Sequence, residues 1–157
     1  MTFTAGQKVR ASQLNDLIKG RINSAFVATN GPSGVTTTET VLDYLTGSLT
    51  AGRRYAFKWD GDFVGGTADS TWGWKVRYLA GAALVVAGST KVRGRTYLGL
   101  SFGNHEPFEI EGEFTAPTTA QYAVGVTLVR LLGTGTGSVI GGTDNERFLS
   151  LRDITNL

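Results

Sequence analysis

Residues 71–78, TWGWKVRY, alternate without a break: Trp72, Trp74, Val76 and Tyr78 fall on one side of an extended chain, Lys75 and Arg77 on the other. A period of two is the signature of a strand with one face in a core and the other in water. The pattern recurs at residues 108–114, where Phe108, Ile110 and Phe114 alternate with Glu109, Glu111 and Glu113. Tyr55, Phe57 and Trp59 repeat it against Ala56, Lys58 and Asp60. Residues 122–132 (YAVGVTLVRLL) are apolar on both sides, as in a strand covered on both faces. Further strands are expected at 40–52, 82–87, 96–102 and 147–154. The 22 glycines punctuate these runs without a period of three, which excludes collagen and favours turn-rich β structure. Short strands at this spacing predict an all-β, jelly-roll-like sandwich.

The first 30 residues read differently. Ser12 is placed to cap a helix over about 12–28, and Leu14, Leu17, Ile18, Ile22 and Ala25 then share one face at 3.6 residues per turn. So short a helix needs a surface to lie on. NGPSG at 30–34 is a breaker cluster. The expected organisation is an N-terminal anchoring arm (1–30), a hinge (31–34) and a β-sandwich (35–157).

Composition narrows the function classes. With no cysteine there is neither a disulfide nor a thiolate metal site. A net charge of +2, with no basic run longer than a pair, is too weak for a nucleic-acid footprint. No apolar stretch has membrane-span length, and no basic region followed by an apolar run marks a signal peptide. The expectations are no nucleic acid, no membrane, no cofactor and no metal.

Candidate chemistry is sparse. His105, the single histidine, lies in a loop with no evident nucleophile or orienting acid. Glu109, Glu111 and Glu113 put carboxylates about 7 Å apart along one strand, a gap found in inverting glycosidases. Those enzymes draw their two acids from opposite cleft walls, so cross-strand pairing with Lys75 and Arg77, or with Arg93 and Arg95, is the expected role. GTGTGS (133–138) lacks the spacing of a phosphate loop and reads as a hairpin or extended loop. DGDF (60–63) and GGTDNE (141–146) read as oxygen-rich turns rather than calcium loops. Trp59, Trp72 and Trp74 are expected in the core; Trp72 and Trp74 are also the candidates for a carbohydrate platform.

The opening FTAGQKVRASQLNDL resembles an N-terminal motif of tailed-phage structural proteins, F-x-A-G-x-x-ϕ-x-A-x-x-L-N with ϕ apolar, found especially in small virion proteins of phages infecting actinobacteria. Phe3, Ala5, Gly6, Val9, Ala11, Leu14 and Asn15 match it. LTAGRRYAFKWDGDF (49–63) is similar to their L-x-A-G-x-x-Y block, and residues 113–139 with FLSLRDI (148–154) resemble their final hairpin and terminal strand. The resemblance implies a non-enzymatic homotrimer on the virion surface, made in the host cytoplasm. Its docking arm would carry Phe3, Val9, Leu14, Leu17, Ile18, Ile22 and Ala25. Minor tail, head-fibre and capsid decoration proteins all occur in that group, so the implied partners are further copies of itself and the major capsid or tail proteins. The short chain, without shaft or repeat, favours capsid decoration or a small accessory tail knob. The alternative is a tail-tip module binding a host surface glycan.

Overall fold

A computed structural model of the chain describes residues 20–65, 70–98, 106–141 and 146–155. Among these residues are nine strands: β1 (Arg21–Val27), β2 (Thr40–Leu49), β3 (Arg54–Gly65), β4 (Thr71–Ala80), β5 (Thr90–Leu98), β6 (Glu106–Thr115), β7 (Ala120–Leu132), β8 (Gly137–Ile140) and β9 (Arg147–Asp153). Sheet A runs β1-β9-β3-β6, with β8 paired to the far end of β3; sheet B runs β2-β7-β4-β5. Every pairing is antiparallel. Setting β8 aside, the remaining strands form two four-stranded sheets wound as a jelly roll, the first strand lying beside the last.

Alternation places the core as expected. Tyr55, Phe57, Trp59 and Phe63 of β3 face Trp72, Trp74 and Val76 of β4, all at most 2% exposed. Trp74 is the hub, stacked on Phe108 at 4.3 Å and edge-on to Phe63 at 5.2 Å. Each buried aromatic removes roughly 150–250 Å² from water, worth on the order of 4–6 kcal/mol at about 25 cal/mol per Å². β7 is buried on both faces from Tyr122 to Val129.

Five expectations need correction. The helix over 12–28 does not hold in its second half, because Arg21–Val27 is a strand; its first half lies outside the described residues. The cause is a bulge. Arg21 pairs with Arg152 but Asn23 with Leu151, so the register shifts at Ile22. Ile22, Ala25 and Val27 therefore all pack against the core, and the helix-like spacing of Ile22 and Ala25 comes from an inserted residue. The sandwich thus begins upstream of residue 35. The segment expected as a hinge, 31–34, is the crossing from sheet A to sheet B, held where Gly31 donates to the Val139 carbonyl and Val35 bridges to Gly137.

Residues 82–87 form no strand. Gly81 and Gly88 take φ of 131° and 76°, closed to most side chains, so the run is folded back as a loop. It buries Leu84 and leaves Val85 52% exposed. The strand expected at 96–102 instead begins at Thr90, its remaining residues 99–102 lying outside the described ones. DGDF, expected as a turn, lies inside β3. A side chain at Gly61 would come within 2.8 Å of Arg147 and 2.9 Å of Trp59, so glycine here makes room in the core rather than a turn.

Candidate functional site

The residues singled out from the sequence separate into three groups. Phe3, Val9, Leu14, Leu17 and Ile18 of the arm lie outside the described residues, as does His105. Ile22 and Ala25 lie in β1 and pack against their own core. Gly20, just before β1, is itself fixed to the sandwich, where the Asp153 amide donates to its carbonyl. Just beyond, Asn23 Nδ2 donates to the Thr46 carbonyl at 2.9 Å, tying edge strand β1 of sheet A to edge strand β2 of sheet B. The described chain thus begins, at Gly20, on a stitched edge.

Trp72 and Trp74 are 0% exposed, which corrects their reading as a sugar platform: a stacking face must meet solvent. Among the described residues the most exposed aromatic is Phe26 at 67%, ahead of Tyr44 at 42%; the Phe26 ring lies 4.9 Å from that of Phe148. Register puts both on the outer face of sheet A, since neighbouring Ala25 and Leu149 point inward. The sequence does not reveal this pair, because the helical spacing read over 12–28 takes in Phe26.

The glutamate row does lie on the outer face of sheet A, but its partners differ from those expected. Lys58 Nζ bridges to Glu109 at 2.6 Å, Arg152 to Glu111 at 3.5 Å and Arg54 to Glu113 at 2.6 Å. The bond to Glu109 raises the Lys58 pKa. All three carboxylates are 44–54% exposed and each faces one cation. None is set apart in burial or partner, as an acid–base pair requires. Such exposed bridges contribute about 0–1 kcal/mol each.

Lys75 and Arg77 instead hold Glu39, on the connection before β2. Its carboxylate accepts from Lys75 Nζ at 2.5 Å, Arg77 Nε at 2.6 Å and the buried Thr127 hydroxyl at 2.5 Å. Burial pushes the Glu39 carboxyl up, but the bonds from Arg77, Lys75 and Thr127 outweigh it and bring the pKa down from 4.5 to about 2. A second network lies in the core. Arg147, 2% exposed, grips Asp43 through Nε at 2.8 Å and Nη2 at 3.0 Å, while Trp59 Nε1 donates to the same carboxylate at 2.8 Å. Arg147 also donates to the Thr29 carbonyl. Both networks fasten connections and sheets.

Among the described residues, no group of three or more metal-ligating side chains converges, and no helix is long and apolar enough to cross a membrane.

No protein-family model matches the chain, and neither does any curated protein. Solved structures do match in fold. A chain of infectious bursal disease virus (Gt strain) superposes with a TM-score of 0.52 at 10% identity, over 88% of this chain and 34% of the viral one. This protein thus spans about a third of that relative's length. The Eiger TNF of S. frugiperda superposes with a TM-score of 0.51 at 9% identity, covering 87% of this chain and 95% of that one. At such identities the likeness is one of fold alone. A Clostridium thermocellum xylanase carrying a CBM22 module reaches 0.45 at 11% identity, over 88% and 29% of the two chains, too distant to bear on the reading.

Proposed function

We propose that the protein is a non-enzymatic structural component of a bacteriophage virion, a trimeric capsid decoration or head-fibre protein or a small accessory knob of the tail. It attaches through its N-terminal segment and turns its jelly roll outward. One observation carries the reading. The segment that resembles the phage virion motif, Phe3 to Asn15, leads directly into Gly20 and β1, which are bonded to β9 and cross-linked to β2. Tension on such an arm passes into two sheets at once rather than into a loose tail. Support comes also from a fold shared with a viral chain, although that fold serves unrelated functions elsewhere.

The mechanism is adhesive. An arm with spaced apolar residues (Leu14, Leu17, Ile18) gains contacts on a shell or tail protein, and side-by-side copies of the sandwich reinforce one another. Purified virions of the encoding phage should contain the chain at a copy number typical of a shell or tail component. Its absence from them would contradict the proposal. Light scattering on the free protein should give three times the chain mass; a monomer would remove the trimer.

A second reading, a tail-tip module for a host glycan, now rests on Phe26 and Phe148 rather than on the tryptophans. An exposed ring on a flat sheet face is a surface on which a sugar could stack. Its signature is glycan-array binding abolished by Phe26→Ala.

A further inference from the structure

Where the sandwich ends at β5 and β6, the outermost strands of the two sheets lie side by side and enclose a groove of about 440 Å³. One wall carries Arg93 and Arg95, the other Glu109, Glu111 and Glu113. Gly112 lets the walls approach: a side chain there would stand 3.1 Å from Val76 and 3.2 Å from Arg93.

The charges do not cancel. Each glutamate is already bridged to a cation on the outer face, namely Lys58, Arg152 or Arg54. Arg95 donates only to a backbone carbonyl, that of Glu109 at 3.1 Å, and Arg93 has no partner among the described residues. Two guanidinium groups are therefore left without an ion-pair partner among the described residues, in a groove that also borders the outer backbone edge of β5. That edge has no partner strand among the described residues. Arg93 and Arg95 are alternate residues of one strand, about 7 Å apart, so they match acids at alternate positions of a second extended chain.

We propose that this groove is a docking site for an extended, acidic segment of a partner protein, which adds to the edge of β5 and places its carboxylates on Arg93 and Arg95. A second copy of this chain fits less well. Pairing β5 with its own copy sets arginine against arginine. Adding the β6 of a copy related by a two-fold axis along the strands puts its glutamates on the outer side. The arginines lie in register with Trp74 and Val76, on the inner side. The inference is independent of the virion reading, because it concerns a different edge of the molecule from the one that the leader enters.

The test uses the full chain and three probes: the peptide Thr-Glu-Val-Glu-Val-Glu-Thr, its Gln-for-Glu counterpart, and a short polygalacturonate. Binding is followed by amide chemical shifts. The acidic peptide should shift the amides of Thr90–Leu98, bind more weakly as salt rises from about 0.05 to 0.5 M, and exceed the Gln peptide in affinity. Arg93→Glu with Arg95→Glu should weaken it by about tenfold or more. Both arginines are exposed, so the variant should keep the parent's thermal midpoint, checked alongside. The proposal is overturned if the acidic peptide fails to bind, binds no better than the Gln peptide, or is indifferent to the charge reversal. It is equally overturned if polygalacturonate occupies the groove and the peptide does not. Each result stands whether or not the chain is found in a virion.

Discussion

Asp43 and Arg147 meet inside the sandwich although 104 residues separate them. Their ion pair clamps β2 of one sheet to β9 of the other, with Trp59 as a third party. A paired charge in such a place is costly to orphan. Arg147→Ala should lower unfolding free energy by roughly 3–5 kcal/mol in a denaturant titration, whereas replacing both partners by apolar residues of similar volume should recover most of the loss. If Arg147→Ala cost less than about 1 kcal/mol, the clamp would be incidental. Glu39 makes a different claim, because its folded pKa lies below its unfolded one. Its contribution is fully present above pH 4.5 and is lost as pH falls towards about 2. In Glu39→Gln the fall in stability between pH 4.5 and 2 should be visibly shallower than in the parent; identical slopes would dissociate this carboxylate from acid sensitivity.

At the scale of elements, β4, β6 and β7 are legible because alternation, or a continuous apolar run, survives in them intact. β1 is hidden by its bulge, which converts a period of two into a spacing of three between Ile22 and Ala25. The first half of β5 is hidden for another reason: Lys91, Arg93 and Arg95 break up the apolar pattern of an edge strand whose Val92 and Tyr97 reach the core. The charged rows were visible, but not which rows would meet, since that depends on a strand order that local pattern does not encode. Lys75 and Arg77 looked like partners for Glu109 and its neighbours, yet β4 and β6 belong to different sheets. Trp59, Trp72 and Trp74 were placed in the core from alternation alone, and their burial follows from it. The structure predicts two very different truncations. Starting at Gly20 removes no described strand and should leave the thermal midpoint within a few degrees. Starting at Gly34 strips β1 from β9 and uncovers the groove filled by Ile22, Ala25 and Val27, with a loss on the order of 3 kcal/mol. Equal stability of both would mean that β1 adds nothing to the sandwich.

For the whole molecule, the proposal to test is that the jelly roll is carried to a phage particle by its leader, through Leu14, Leu17 and Ile18. Oligomeric mass tests the trimer but not the attachment. The direct measurement is cosedimentation of the purified protein with particles of the encoding phage that lack it. The parent should pellet at a saturating, fixed number of copies per particle. The variant carrying Leu14→Asp and Leu17→Asp should keep the parent's thermal midpoint and remain in the supernatant. A parent that stays in the supernatant, or a variant that pellets as well as the parent, would contradict attachment through the leader.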